Sequence, residues 1–400
     1  MQRPTLIVAA VSLGLATLVG RNTAVQAFTD DRPDLALAFA PNDPGALIAE
    51  SRYLTDAPNS PSAAQAALLE RAARADPLYP APFLAEAARD QAKGDDGNAR
   101  RLAEAARARD PRWTATHAFL LSNYARAGNL PAAIGSVGTL ANLSSATAPA
   151  LGKALSSSAS DPKTATLLAT ALASNPRWRS AFIGQATGPA QLLAFKTLTT
   201  PPRSVSEIDK TKERSVFIDG LMGAGDYQRA YLAWVNFLPA REAGGVEAIY
   251  DGDFKGGAGV EPFNWSLVAN EAASAERRTD SPLPGHTALD VNFFGHDLTT
   301  IATESLFVGA GSYRFELAGM ADGGGQFAGV LRWSLLCLPG RTNIPLAEVS
   351  KFDGKPFEIR QSVTIPAQRC SAQQISLVGE PGEVATAIHA QFTRLRLIPR

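Results

Sequence analysis

Four acidic residues have the chemistry needed for a carboxylate pair of the kind that hydrolyses glycosidic bonds: Asp251, Asp253, Glu261 and Glu304. Any β-rich domain offers such acids, and the sequence does not fix their separation. The chain contains no Gly-x-Ser-x-Gly elbow, no Gly-x-x-x-x-Gly-Lys phosphate loop and no His-Glu-x-x-His helix. The Gly-rich stretches 256–259 and 323–325 lack the lysine of a phosphate loop and indicate turns. We therefore expect a protein that is not an enzyme and needs no cofactor.

The cysteines and histidines indicate whether the chain could form a disulfide or bind a metal ion. Cys337 and Cys370 are the only cysteines, and in an oxidising compartment they are a plausible disulfide, with two separate buried thiols as the competing interpretation. The four histidines do not have the spacing of metal ligands. They are His117, His286, His296 and His389. The sequence therefore predicts no metal site.

The charge balance bears on possible partners. The 38 basic residues offset the 38 acidic residues, so the formal net charge is zero. No overall field draws the chain towards phosphate backbones or anionic lipid. We therefore expect no nucleic-acid partner.

The N-terminus resembles an export signal. Arg3 precedes an uncharged run at 6–20, and Val25-Gln-Ala27 places small residues where signal peptidase requires them. An uncleaved anchor over 4–20 is the alternative, because about 17 apolar residues are the lower limit of a membrane span. Residues 1–27 are thus a predicted signal peptide or membrane anchor. The remainder is expected in the periplasm, free or tethered to the inner membrane through this segment alone.

Residues 28–240 have the periodicity of stacked helical hairpins. Asp43-Pro44, Asp76-Pro77 and Asp110-Pro111 recur at intervals of 33 and 34 residues. A shift of 34 also carries Lys93-Gly-Asp95 onto Ala127-Gly-Asn129. Each Pro ends a helix and each Gly supplies the turn inside a hairpin.

These features resemble tetratricopeptide repeats, with small Ala residues at helix crossings and a Pro closing each second helix. The resemblance covers 62–134, with a degenerate unit at 33–53. It implies an α-solenoid whose concave face docks a protein partner, or one that merely supports a second domain.

Helical signals continue to about residue 240. Asp161-Pro162 is a predicted helix start, and Ser204 and Glu207 have capping-box spacing ahead of a helix ending near Met222. Beyond it, one apolar stripe is expected to pack in a core: Tyr227, Ala230, Tyr231 and Trp234.

The stretch 250–265 separates these helices from a β-rich region, with 241–249 as a linker. Short runs rich in β-branched and aromatic residues follow, separated by Gly, Pro or Asp. The predicted strands are 288–294, 304–308, 312–317, 327–336, 357–365, 374–377 and 387–397. Seven such runs without intervening helices indicate an antiparallel β-sandwich or jelly roll.

Four motifs give this region a second resemblance. They are Asp251-Gly-Asp-Phe254, Pro262-Phe-Asn-Trp265, Val308-Gly-Ala-Gly-Ser-Tyr-Arg-Phe315 and Phe392-Thr-Arg-Leu-Arg-Leu397. Together, over 250–400, they resemble the galactose-binding-like jelly rolls that include many non-catalytic carbohydrate-binding modules. The motifs are signals of fold. The resemblance favours a glycan ligand without identifying the sugar, and many members of that superfamily bind proteins or lipids instead.

A sugar site requires aromatic faces that stack on a pyranose ring, together with planar polar groups that bond its hydroxyls. Candidate ligand-binding residues are Trp265, Phe294, His296, Asp297, Arg332 and Trp333. Packing in the core is the competing interpretation for the two tryptophans. A structural turn is the competing interpretation around Phe294.

Two functional hypotheses follow, and catalysis is a third alternative as a hydrolase or its accessory. The first is an exported, non-catalytic protein whose repeats dock a protein and whose jelly roll binds polysaccharide or another envelope component. The second is an assembly scaffold in which both parts bind proteins.

Overall fold

The computed structural model describes residues 19–56, 62–279, 287–323 and 329–400. The chain divides into two compact units. The first consists of residues up to Leu151 with 166–171 and 176–178, and the second of 152–165, 172–175 and 179–400. The second unit therefore combines helices with the whole β-sandwich, whereas the sequence placed a linker between them at 241–249.

The N-terminal part is helical, as predicted. Helix α1 includes 19–28. The following helices are α2 Pro33–Phe39, α3 Pro44–Asp56, α4 Ser62–Ala75, α5 Ala81–Ala92, α6 Asp96–Arg109, α7 Thr114–Arg126, α8 Leu130–Leu143, α9 Ala148–Ser158, α10 Pro162–Ala173, α11 Arg179–Gly184, α12 Pro189–Thr199, α13 Glu207–Gly223, α14 Tyr227–Phe237 and α15 Ala240–Ala243.

Two helical hairpins have turns of the same kind. Between α5 and α6, Gly94 has φ +86°, and between α7 and α8, Gly128 has φ +69°. The next residue caps the second helix in both cases: Asp95 accepts the Asn98 amide at 2.9 Å, and Asn129 accepts the Ala132 amide at 3.4 Å. Glycine reverses the chain at positive φ and the side chain after it satisfies a free amide, so the predicted turn is formed. The tetratricopeptide assignment stays a prediction.

The helix α13 begins later than the capping box predicted. Its cap is Ser206, whose Oγ accepts the Asp209 amide at 3.1 Å, and not Ser204. Both serines precede an acidic residue three positions on, so the spacing alone did not distinguish them. At α10 the expected cap is present, because Asp161 accepts the Thr164 amide at 2.7 Å.

Two antiparallel sheets form the predicted β-sandwich. The strands are β1 Ser266–Leu267, β2 Ala273–Arg278, β3 Ala288–Phe293, β4 Thr299–Leu306, β5 Gly311–Gly323, β6 Val330–Pro339, β7 Asn343–Val349, β8 Pro356–Ile365, β9 Cys370–Glu380 and β10 Ile388–Pro399. The first sheet has the order β1-β4-β9-β6-β7 and the second sheet the order β2-β3-β10-β5-β8.

The core of the sandwich lies between these sheets. Alternate residues of each strand point inwards, as in β5, where Tyr313, Phe315 and Leu317 are buried and Arg314 is exposed. The chain ends on the central strand β10, which pairs with β3 and β5. Both neighbours of β10 are therefore distant in sequence.

Cys337 of β6 and Cys370 at the start of β9 are joined by a disulfide across these paired strands. Both cysteines are buried in the sandwich core. The bond closes a loop with a sequence separation of 33 residues.

Within the described ranges, no helix has both the length and the apolar character needed to cross a bilayer. The predicted signal peptide or anchor lies mainly in residues 1–18, outside those ranges, and stays a prediction.

Candidate functional site

The outer face of the second sheet carries a concavity. Side chains that point away from the core on β10, β5 and β8 are in register there, with Arg394 opposite Ala318 and Ala318 opposite Glu358. A β-bulge between Phe392 and Arg394 adds Thr393 to β10. The bulge and the small Ala318 leave a depression between the larger side chains.

This depression, which we name the sheet groove, has a volume of about 600 Å³. It is lined by Asp253, Lys255, Ala318, Gly319, Pro356, Phe357, Glu358, Thr393, Arg394 and Arg396. A cleft of this volume is large enough for a small-molecule or oligomeric ligand.

The charged side chains of the sheet groove are paired with each other or with close neighbours. Arg394 donates to Glu358, and Lys255 forms an ion pair with Asp253. The hydrogen bond from Lys255 to Asp253 raises the pKa of the lysine. Arg396 lies 3.8 Å from Glu247, measured from Nε to Oε2. The groove therefore presents donors and acceptors side by side with little net charge.

The loop that follows Tyr250 forms one wall of the groove and is attached directly to β10. The Leu395 amide donates to the Gly252 carbonyl at 2.7 Å. A Cβ added at Gly252 would lie 2.3 Å from the Leu395 carbonyl oxygen. Only glycine allows this approach, which places Asp253 and Lys255 next to the arginines of β10.

Buried polar groups hold the same loop in place. Asp251, at φ +50°, accepts Arg277 Nε at 2.9 Å, and Arg277 also donates to Asn264 Oδ1 at 2.8 Å. The Tyr250 amide donates to Glu304 Oε1 at 2.8 Å. The wall of the groove is thus anchored by charge-assisted hydrogen bonds to the sandwich.

Glu304 has an unusual environment at this anchor point. Burial raises its pKa well above the ordinary value, opposed by the Tyr250 amide and reinforced by the nearby Asp251 carboxylate. Its Oε2 has no hydrogen-bond partner among the described residues. Folding therefore favours the neutral form of Glu304 relative to the unfolded chain.

A polar row on the same sheet face lies next to the groove. His389 Nε2 is 2.5 Å from Asp290 Oδ1, and His389 Nδ1 is 3.4 Å from Asp322 Oδ1. Arg278 donates to the other oxygen of Asp290 at 3.0 Å. Within the described ranges, no group of three or more His, Cys, Asp or Glu is arranged to hold a metal ion.

Two predicted ligand-binding residues, Trp265 and Trp333, lie in the sandwich core and not in a site. They are 3% and 0% exposed, and their rings meet edge to face at 5.8 Å. Phe254 and Phe392 pack against them. With their rings covered, neither tryptophan has a face available to a sugar, and we correct this part of the prediction.

The remaining predicted residues lie outside the sheet groove. Phe294, His296 and Asp297 are exposed in the turn between β3 and β4, where Gly295 has φ +74° and packs against the Thr386 backbone. They are neighbours because they follow one another in sequence. This turn contributes no residue to the lining of the groove.

Arg332 is on the first sheet, and its guanidinium is already paired. It donates to Glu380 at 2.7 Å and to Glu348 at 2.8 Å, and this raises its pKa. The structure therefore does not bring Arg332 together with the other candidates.

Sequence reasoning missed the residues of the sheet groove. The motif Phe392-Thr-Arg-Leu-Arg-Leu397 was interpreted as a fold signal, and it contains Arg394 and Arg396. The motif Asp251-Gly-Asp-Phe254 was interpreted as a fold signal, and it contained Asp253. Both motifs therefore contain residues that line the groove, but nothing in the sequence shows that the two motifs contact each other.

No family model matches the chain, and no curated protein matches it. Solved structures similar to its C-terminal part are carbohydrate-binding modules with a β-sandwich fold. A structure described as CBM4 is 14% identical, with 38% of this chain and 99% of that chain covered and a TM-score of 0.27. The C-terminal family 22 carbohydrate-binding module of Clostridium thermocellum Xyn10B is 13% identical, with 37% and 92% covered and a TM-score of 0.27. A carbohydrate-binding module that recognises mannan is 18% identical, with 34% and 89% covered and a TM-score of 0.24.

Proposed function

We propose that this chain is a non-catalytic binding protein whose β-sandwich holds a neutral glycan in the sheet groove. The observation that carries the proposal is the groove itself, which is about 600 Å³ in volume and is lined by pairs of oppositely charged side chains. Carboxylates accept and guanidiniums donate, so adjacent pairs can bond the donor and acceptor functions of neighbouring sugar hydroxyls.

The charge balance of the groove supports a neutral ligand over a polyanion. Lys255, Arg394 and Arg396 line it, together with Asp253 and Glu358. Glu247 beside Arg396 completes three cations and three carboxylates. A polyuronate or phosphate polymer would meet repulsion at each carboxylate, whereas an uncharged polymer would not.

The wider setting of the proposal comes from the sequence. The predicted signal peptide or membrane anchor over 1–27 supports a periplasmic protein, free or anchored in the inner membrane. The repeated hairpin turns of the first unit support a tetratricopeptide-like array that docks a protein partner. In this view the helices contact protein while the sandwich contacts polysaccharide or another envelope component.

Binding of the full-length protein to immobilised polysaccharides tests the proposal. The probes are neutral β-linked glucans, xylans and mannans, with a polyuronate for comparison. We expect retention on at least one neutral polymer that changes little between low and high salt, because no net charge is neutralised. Retention on the polyuronate alone, or on none of these polymers, would refute the proposal.

Substitutions on the second sheet locate the site. Arg394→Ala removes a charged donor from the groove and is expected to weaken binding by about tenfold or more. Arg314→Ala is the matched control, because Arg314 lies on the same face and pairs with Glu316 at 2.8 Å, outside the groove. Equal affinities of the two variants would exclude the sheet groove as the site.

An assembly scaffold without sugar binding is the second candidate, and an apolar groove of about 390 Å³ in the second unit favours it. Leu192 and Leu232 on its rim are 59% and 51% exposed, and Phe195 and Phe217 form part of its lining. Such a groove suits the apolar face of an amphipathic helix from a partner protein. Failure of glycan binding, with a co-purifying protein lost on Leu232→Asp, would favour this function.

A further inference from the structure

Two further concavities share lining residues with the sheet groove. A depression of about 300 Å³ includes Glu247, Asp253, Leu395 and Arg396 in its lining. Beyond it, a cavity of about 510 Å³ includes Glu247, Arg396 and the last residues of β10, 397–399. Arg396 lines all three, so they adjoin one another around this residue of β10.

We name the last of these the junction cavity. It is lined by Tyr231, Val246, Glu247, Ala248, Phe307, Val308, Gly309, Tyr313, Arg396, Leu397, Ile398 and Pro399. From Thr393 in the sheet groove to Pro399 in the junction cavity, β10 spans roughly 20 Å at about 3.3 Å per residue. That length suits an extended chain and exceeds a single sugar ring.

The junction cavity offers what the sheet groove lacks, a wall of stacked aromatic rings. Tyr231 and Phe307 stack with centroids 5.3 Å apart and an interplanar angle of 27°. Both side chains are partly exposed. Opposite them in the lining, Glu247 and Arg396 supply an acceptor and a donor. An aromatic surface beside planar polar groups fits a pyranose, which has an apolar face and a rim of hydroxyls.

One of the two aromatic residues comes from helix α14 and not from the sandwich. Tyr231 is held there by Phe263, edge to face at 5.5 Å, and by Trp234, stacked at 5.8 Å. Trp234 is buried and donates from Nε1 to the Val260 carbonyl at 2.9 Å. The helix is thus fixed to the sandwich by specific contacts, and its tyrosine is positioned before any ligand arrives.

The segment between α14 and the sandwich is also fixed. Tyr250 packs edge to face on Trp234 at 4.9 Å, and its hydroxyl donates to Glu242. The same hydroxyl accepts the Gly259 amide at 3.0 Å. Burial, followed by the hydrogen bond to Glu242, raises the pKa of Tyr250 to about 12, so this contact persists across the physiological range.

We propose that the sheet groove, the depression and the junction cavity bind successive units of one extended glycan chain. In this arrangement Phe307 forms the aromatic subsite, and Tyr231 of the helical segment supports the Phe307 ring by stacking on it. The inference rests on the proposed function and refines it, because it names several successive units of a linear polymer, not a monosaccharide, as the ligand.

A length series tests the composite site on the full-length protein. The probes are β-1,4-linked oligomers of xylose, glucose and mannose, from dimer to hexamer, measured by isothermal titration calorimetry. We expect affinity to rise at least tenfold from dimer to hexamer, because only longer chains reach both the sheet groove and the aromatic subsite.

Substitution of Phe307 identifies the aromatic end. Phe307→Leu keeps apolar volume but removes the ring, and it is expected to weaken hexamer binding about tenfold while changing dimer binding less than twofold. Phe352→Leu is the matched control, because Phe352 is another partly buried phenylalanine of the sandwich and lies outside the three concavities. Near-UV circular dichroism checks that both variants keep the packed fold.

The outcomes separate this inference from the proposed function. If affinity is the same from dimer to hexamer, or if Phe307→Leu behaves like Phe352→Leu, the composite site is wrong. The sheet groove can still stand in that case, provided that Arg394→Ala loses binding. If no oligomer and no polymer binds the unmodified protein, the proposed function and this inference both fail.

Discussion

Two buried glutamates, one in the helices of the second unit and one in its sandwich, have opposite surroundings. Glu213 of α13 faces Arg179, whose Nε lies 3.0 Å from both carboxylate oxygens, and Ser180 donates at 3.0 Å. Glu304 of β4 accepts the Tyr250 amide, and within the described part of the chain its second oxygen has no hydrogen-bond partner.

The difference shows how each region tolerates a polar group in its interior. Arg179 completes its own hydrogen bonds with the carbonyls of Leu172 and Thr197, each at 3.2 Å, so the ion pair leaves few groups unsatisfied. Such a pair withstands burial as charges. Glu304 lacks a counter-charge in direct contact and is stabilised in its neutral form instead.

Removal of Glu213 is expected to have the largest effect. Glu213→Ala leaves the guanidinium of Arg179, which is 1% exposed, without its counter-charge. We expect the free energy of unfolding to fall by about 3–5 kcal/mol, measured by urea denaturation.

Two further variants sharpen this measurement. Glu70→Ala breaks an exposed ion pair with Arg74 and should change stability by less than about 1 kcal/mol. The double substitution Arg179→Met with Glu213→Leu removes both charges and should recover most of the loss. If Glu213→Ala is as mild as Glu70→Ala, the buried pair does not have the role described.

The disulfide, like this ion pair, joins two buried residues that are far apart in sequence. Arg179 and Glu213 are 34 residues apart, and Cys337 and Cys370 are 33 apart. Replacing both cysteines by serine should lower the free energy of unfolding by about 3.5 kcal/mol, because an open loop of this length has more conformational entropy when unfolded. The unmodified protein under reducing conditions is the control and should lose a similar amount. An unchanged midpoint of denaturation in both experiments would contradict this prediction.

Local patterns explain how much of the fold was predictable. The turns at Gly94 and Gly128 were correctly placed, because glycine followed by a capping residue acts within a few positions of the chain. Strands β1, β2 and β7 were missed, β1 being only two residues long. The causes for β2 and β7 are visible. Their sequences, Ala-Ser-Ala-Glu-Arg-Arg and Asn-Ile-Pro-Leu-Ala-Glu-Val, have weak β-propensity, and pairing with β3 and β6 forms them.

Long-range contacts explain why the candidate site was not predictable. The sheet groove combines a loop at 253–255 with β5, β8 and β10, and no short motif contains all four. Tyr231 and Trp234 were expected to pack in a core, but their partners Phe263 and Phe307 lie beyond the predicted boundary at 250. Periodicity shows that a face is buried without showing what covers it.

The raised pKa of Glu304 should make the stability of the protein depend on pH. A raised pKa in the folded state stabilises the protein below the unfolded value of about 4.5, and this stabilisation is lost as the pH rises towards the folded value. Glu304→Gln remains neutral and keeps an acceptor for the Tyr250 amide. Its free energy of unfolding should therefore rise relative to the unmodified protein above pH 4.5, by up to about 1.4 kcal/mol per pH unit. A difference that is independent of pH from 4 to 7 would show that Glu304 does not titrate differently on folding.

The smallest effects are expected at the helix caps, where the interactions are local and exposed. Asp95→Ala and Asn129→Ala each remove the side-chain acceptor of one amide at the start of α6 and α8, and each should lower the free energy of unfolding by about 1 kcal/mol. The two losses should add, because the caps belong to separate hairpins and share no hydrogen bond. Arg112→Ala, at an exposed loop residue of the same unit, is the control and should stay within about 0.5 kcal/mol. Losses as large as that of Glu213→Ala would show that the hairpins depend on these turns more than on their buried alanines.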